Sequence, residues 1–190
     1  HKNGQLFLKT NYKDGKRDGP YIRYYDNGRL SSKGKQKDGK QEGPHVTYHR
    51  NGQLQTKGTF KDGKNEGPYE HYHDNGKVYI KVTYKDGKKE GPWVSYYDDG
   101  LLSSKSSEGT FKDDKKEGPW VTYYKNGQLW SKGTFKDGKR DGPWIGYHDN
   151  GRLSFKGTYK NGKFDGPYIS YWSNGKLESK GNYKNGVKVK

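Results

Sequence analysis

Cysteine, methionine and alanine are all absent from this chain of 190 residues. Without cysteine there is no disulfide framework, thiolate metal site or catalytic thiol, and without alanine no long helix of the Ala/Leu type is expected. Aliphatic residues are scarce as well. Leu, Ile, Val and Phe number only 26, and no run of them approaches the roughly 18 residues of a membrane-spanning helix or forms the apolar stretch of a signal peptide. The chain starts at His1, which reads as a fragment or a processed form and leaves a cytosolic, secreted or lipid-anchored parent open. With a formal net charge of +16, this is the composition of a disordered protein, because so little apolar burial does not offset chain entropy.

Two features oppose disorder. The first is the supply of rings: 18 Tyr, 5 Trp and 6 Phe, of which Tyr and Trp bury a large area while keeping a polar tip in water. The second is internal repetition. All seven prolines sit in Gly-Pro pairs, at Pro20, Pro44, Pro68, Pro92, Pro119, Pro143 and Pro167, spaced by 24 residues except for 27 between Pro92 and Pro119. Residues 1–190 therefore read as one tandem domain of seven units. Each unit carries two turn signals. Asn-Gly occurs at Asn27, Asn51, Asn75, Asn126, Asn150 and Asn174, with Asp99-Gly100 as a variant; Asp-Gly occurs at Asp14, Asp38, Asp62, Asp86 and Asp137 and becomes Asn-Gly at Asn161 and Asn185. Both dipeptides accept the positive φ angles of a two-residue hairpin turn. The pattern predicts an all-β repeat solenoid, a single-layer, twisted antiparallel β-meander of about 15 strands built from double-hairpin units.

Residues equidistant from a two-residue turn should face each other. Around Asn126-Gly127 this sets Tyr124 opposite Leu129, Thr122 opposite Ser131 and Trp120 opposite Gly133. Around Asp137-Gly138 it sets Phe135 opposite Arg140, Gly133 opposite Gly142 and Ser131 opposite Trp144. One face then collects the rings over small Ser and Gly neighbours and is expected to line the inside of a curved sheet. The other collects Val121 and Tyr123 beside Lys132, Thr134 and Lys136, with lysine stems over the tyrosines. The acid before each Gly-Pro should lie opposite a Thr flanked by lysines and pair with them. The first strand of each unit should begin at the aromatic after Pro, which cannot donate to a ladder.

Departures from the repeat are expected to be informative. Three extra residues fall between Lys105 and Gly109, Asp113-Asp114 replaces a turn, and Gln36 replaces an aromatic. His45, His49, His71 and His73 stand in ring or small-residue slots. Equivalent slots in adjacent units are two strands apart, about 9.6 Å, too far for nitrogens that must lie about 2.1 Å from a zinc ion, so ring-for-ring substitution is expected and no metal. No catalytic residue and no cofactor are expected either, since the acids recur beside turns and no nucleophile elbow or phosphate loop is present. Lysines (32) far outnumber arginines (6) and are interspersed with 22 acids, unlike a base-reading surface, so nucleic acid is not the expected partner.

The unit, DGKx[DE]GP[WYH]xxY[YH]xNGxLxSKGx[FY]K with its best copy at Asp137 to Lys160, resembles the MORN repeat and most closely its bacterial variant, over Asn3 to Gly186. The resemblance implies an antitoxin- or immunity-like binding protein, neutralising a partner by occlusion, in the bacterial cytoplasm or, with a targeting segment outside this stretch, secreted or in the cell envelope. It also implies two alternatives, a scaffold and an anionic-lipid-associated protein, and the unpaired edges of the terminal strands in an open meander would let such a scaffold join end to end. A protein partner, such as an acidic toxin, is expected to meet an exposed ring. Trp130 and Tyr79 are the first candidates, because they replace Ser, Gln or Glu of other units and the register points them away from the aromatic face. Tyr97, Tyr124, His148 and Trp172, beside the Asn-Gly turns on the aromatic face, are the next.

Overall fold

The computed structural model describes residues 2, 4–98 and 105–189, and among them every regular element is a strand. In chain order these are β1 (Leu8–Lys13), β2 (Lys16–Tyr24), β3 (Leu30–Lys37), β4 (Lys40–Gln41), β5 (Gly43–Tyr48), β6 (Leu54–Lys61), β7 (Lys64–Asn65), β8 (Gly67–Tyr72), β9 (Val78–Lys85) and β10 (Lys88–Tyr96). There follow β11 (Lys105–Lys112), β12 (Lys115–Tyr123), β13 (Leu129–Lys136), β14 (Lys139–Arg140), β15 (Gly142–Tyr147), β16 (Leu153–Lys160), β17 (Lys163–Tyr171), β18 (Leu177–Lys184) and β19 (Val187–Val189). Two compact units divide the chain, one running to Glu90 and taking in Asp98, the other starting at Gly91. Within each, successive strands pair antiparallel, as the repeat predicts. The strands outnumber the expected total partly because three of them break at the acid before Gly-Pro, at Glu42, Glu66 and Asp141.

The Asp-Gly turns are the two-residue turns expected of them. Lys136 pairs with Lys139, and Asp137 and Gly138 both have positive φ, 50° and 79°. Asp113-Asp114 keeps the same geometry with φ of 48° and 65°, so a non-glycine residue occupies the second left-handed position. The Asn-Gly turns differ from expectation. Gly127 has φ of 82° while Asn126 is absent from the positive-φ residues; the Gly127 N–H donates to Tyr124 O at 2.9 Å and the Tyr124 N–H to Gln128 O at 2.8 Å. This is a three-residue loop, a turn followed by a left-handed glycine. Tyr123, not Tyr124, therefore faces Leu129. A β-bulge then inserts one residue, Trp130, so that Thr122 faces Ser131 and Trp120 faces Gly133, which returns the register to the expected one.

A second correction lies beyond the Asp-Gly turns. From Phe135↔Arg140 to Lys132↔Ile145 the register moves by two residues, taken up around Asp141, Gly142 (φ 86°) and Pro143. Ser131 consequently faces Gly146 rather than Trp144. The strands also run through the prolines, Pro143 pairing with Thr158, because the bulge tolerates the missing N–H. In the unit containing Pro92, Lys105 faces Tyr96 as Leu129 faces Tyr123. The extra residues thus belong to the connection upstream of Lys105, and Asp99-Gly100 and the rest of 99–104 lie outside the described residues.

Units are tied together by two side-chain ladders at the turns. The acid before Gly-Pro does lie opposite a Thr, as Glu117 does opposite Thr110, but its carboxylate accepts the N–H of the next unit's turn instead of relying on lysines: Glu42 from Asp62 at 2.9 Å, Glu66 from Asp86 at 2.8 Å and Glu117 from Asp137 at 2.9 Å. Asp165 accepts from the Asn185 N–H at 3.2 Å and also pairs with Lys184 at 3.3 Å, and the first of these contacts leads in holding its carboxyl below the ordinary range. On the other edge the asparagines act in two directions. Asn126 Oδ1 accepts the Gln128 N–H at 3.0 Å, while its Nδ2 donates to Asp149 O of the next unit at 3.2 Å.

Candidate binding surfaces

The ring-bearing face is closed by its own side chains. In the second unit Phe111, Trp120, Phe135 and Trp144 form successive edge-on pairs, with centroids 5.5, 5.8 and 5.3 Å apart. Trp120 and Trp144 are each only 3% exposed. Cations cover what the rings leave: Lys116 Nζ stands 4.0 Å from the Trp120 centroid and the Arg140 guanidinium carbon 4.4 Å from that of Trp144. The floor is glycine for a steric reason. A Cβ on Gly133 would fall 2.2 Å from Trp144, and one on Gly109 2.0 Å from Trp120. Volume is exchanged across strands as well. Gly146 faces Phe155 where Thr122 faces Ser131.

In the first unit His45 takes the tryptophan slot, edge-on to Phe60 at 5.3 Å and 8% exposed, and burial pushes its pKa down. His49 takes a tyrosine slot and its role. Tyr25 donates to Tyr48 O at 2.6 Å, and His49 Nε2 lies 3.0 Å from Tyr72 O; since a carbonyl only accepts, Nε2 carries the proton. No group of three His, Asp or Glu among the described residues is arranged to hold a metal ion.

The candidate anchor residues gather at the Asn-Gly edge. Tyr97 donates to Tyr123 O at 2.6 Å, Tyr124 to Tyr147 O at 2.9 Å, and His148 Nε2 lies 2.8 Å from Tyr171 O. Their polar tips are therefore engaged within the array. Trp130 and Tyr79 do not point away from that face. Both are bulge residues, opposite Thr122/Tyr123 and His71/Tyr72 respectively. A bulge turns its extra side chain to the side of the next one, as Thr47 demonstrates by bonding both Gln55 at 3.1 Å and Thr56 at 2.7 Å. Accordingly the Trp130 ring packs on Tyr124 at 6.2 Å and the Tyr79 ring on His73 at 4.8 Å. Trp130 (52%), Trp172 (56%) and Tyr79 (44%) remain exposed, and in the second unit Trp130 shares the Asn-Gly edge with Tyr124.

The opposite face is open, and its regularity is the feature that sequence reasoning undervalued. In the second unit directly opposed residues form a lateral row, Val121–Lys132–Ile145–Lys156–Ile169–Lys180. The first unit has Ile22–Lys33–Val46–Lys57–Glu70–Lys81. The lysines and the flanking prolines are exposed and the aliphatics half-buried. Hollows lie between the Pro-aliphatic ridges: about 340 Å³ beside Pro119, Thr134 and Pro143, about 440 Å³ beside Pro143, Thr158 and Pro167, and about 410 Å³ beside Pro20, Lys35 and Pro44. Two acids interrupt the rows. Glu70 binds the Tyr72 hydroxyl at 2.5 Å and Lys81 at 3.5 Å. Glu108, opposite Val121, binds Lys105 and the Tyr123 hydroxyl, both at 2.7 Å. Burial first, and then the carboxylate, pushes Tyr72 and Tyr123 up to about 12.

Comparison with known proteins is consistent with this geometry. No curated protein matches the chain. The family model described as the MORN repeat variant matches six times, over residues 17–38, 41–62, 65–86, 116–137, 140–161 and 164–185, passing over the unit that holds Pro92 and the longer connection. MORN repeats are generally protein- or membrane-binding modules, typically non-enzymatic. Since the matches cover more than half of its length, the chain belongs to the MORN repeat variant family.

Proposed function

We propose that the chain is a non-enzymatic protein-binding module of the bacterial antitoxin or immunity type, which neutralises an acidic partner by covering its surface. The observation that carries this reading is the contrast between the two faces: one is filled by its own rings and cations, the other presents exposed prolines and lysines around half-buried aliphatics. The second face offers apolar area to bury at the centre of an interface. Its periodic positive potential attracts acidic proteins and penalises basic ones. Trp130, tilted against Tyr124 and half exposed, adds an aromatic anchor at the edge. The recurring acids are spent on turn N–H groups, which fits a structural role for them.

The test is co-expression with the product of the neighbouring gene. Growth of the host restored by the chain, with a co-purifying complex of fixed stoichiometry, is the expected result. A host that dies equally fast with and without the chain, and no complex, counts against the reading. Concentration-dependent polymers in sedimentation favour the end-to-end scaffold instead, and co-flotation with anionic vesicles favours membrane association.

A further inference from the structure

Resting on the protein-binding reading, we infer that the Pro-aliphatic-Lys face recognises an acidic segment in the three-residue-per-turn extended helix, with an apolar residue at every third position and a carboxylate beside it. The spacing of the hollows selects this conformation. Successive hollows in the second unit share the wall made by Pro143 and Lys156. They recur once per repeat, two strands apart, which is about 9.6 Å. Lysines recur with the same period, Lys132, Lys156 and Lys180 all lying on that row.

A partner must repeat its side chains on one side at this distance. A β-strand presents the same side every second residue, about 6.8 Å. An α-helix returns to the same side after seven residues, about 10.5 Å. A polyproline-type helix returns every third residue, about 9.3 Å, the closest of the three. Such a segment loses little conformational freedom on docking, because it is already extended. Each hollow takes one aliphatic side chain between two prolines. The neighbouring residue of each triplet then brings its carboxylate to a lysine, and a basic residue there meets like charge. The charge complementarity is local, since Lys132, Lys156 and Lys180 alternate with aliphatics and not with acids.

The test uses a synthetic peptide of four Leu-Glu-Pro triplets, its Leu-Lys-Pro counterpart and a heptad-spaced acidic helix, measured by titration calorimetry against the full chain. Leu-Glu-Pro should bind, with at least tenfold weaker affinity in the Lys132→Glu, Lys156→Glu, Lys180→Glu triple variant. It should bind within twofold of the parent in a triple variant of equal charge at the turn edge, Lys139→Glu, Lys160→Glu, Lys163→Glu. Unchanged circular dichroism and melting establish that both variants are folded. Absence of binding, equal loss in the two variants, or tighter binding by the helix overturns the inference. The assay requires no natural partner, so its failure leaves the co-expression result standing, and failure of co-expression leaves the peptide result standing.

Discussion

Replacing Gly133 by alanine probes the packing of the ring-bearing face where a glycine lies directly beneath a buried tryptophan. The added Cβ falls 2.2 Å from the Trp144 ring, whereas carbon atoms rest about 3.5–4.0 Å apart. The ring has little room to retreat. Phe135 meets it edge-on at 5.3 Å, the Arg140 guanidinium covers it at 4.4 Å, and its Nε1 donates to Thr134 O at 3.1 Å. Gly133→Ala should therefore cost about 3 kcal/mol, the upper end for overpacking. If the clash is the cause, removing the ring removes the cost. In a Trp144→Leu background, itself destabilised, Gly133→Ala should cost under about 1 kcal/mol, a coupling of about 2 kcal/mol for two residues in contact. Gly34, whose nearest neighbour to an added Cβ is His45 at 3.1 Å, should tolerate alanine better. The assay is urea unfolding followed by fluorescence and by circular dichroism together, because repeat arrays can depart from two-state behaviour. Either of two outcomes would show that ring and glycine are not locked together: a cost within about 0.5 kcal/mol of zero, the usual scatter of surface substitutions, or a cost that persists in the Trp144→Leu background.

The turns and the tyrosines offer three more tests. Asp114→Gly should stabilise the chain by about 1 kcal/mol by relieving a left-handed non-glycine residue, measured by the same unfolding curves. Asn126→Ala should cost about 1–2 kcal/mol for its two hydrogen bonds, and Asn126→Asp at least half of that, because only the contact within the turn survives. The tyrosines whose pKa is raised to about 12, Tyr72 and Tyr123, bind their protons more tightly folded than unfolded. Stability linked to them is full below their unfolded value near 10 and is lost as pH rises towards 12. An ultraviolet titration should show two fewer late-ionising tyrosines in the Tyr72→Phe, Tyr123→Phe variant.

The two faces could be read from the sequence because the errors of register were even or cancelled. The Gly-Pro bulge moves pairing by two residues, and a shift of two leaves every side chain on its side of the sheet; Lys132 changes partners but still faces away from Trp144. At the Asn-Gly turn the three-residue loop and the bulge at Trp130 cancel one another. Trp130 itself was misplaced for that reason, since alternation assigns it outward and only the bulge turns it back onto Tyr124. A trace of this was present in the chain: the two aromatic bulge residues, Trp130 and Tyr79, each follow by six residues the Tyr124 and His73 rings they touch. The inter-unit role of the acids and asparagines was hidden, because it joins residues 20 and 23 apart whose proximity depends on the pairing of whole strands. The open face was underread for another reason. Val, Ile and Lys at single positions look like ordinary strand residues, and become a surface only when the pairing brings Val121, Lys132, Ile145 and Lys156 into one row.

One face of the sheet is sealed by its own rings while the Asn-Gly edge stays open, and hydrogen exchange at the five indole N–H groups reads that difference directly. With Trp144 3% exposed and bonded to Thr134 O, and Trp130 and Trp172 more than half exposed, the Trp144 indole should exchange orders of magnitude more slowly than those of Trp130 and Trp172. Exchange of Trp144 as fast as that of Trp130 would mean that the ring-bearing face is not sealed.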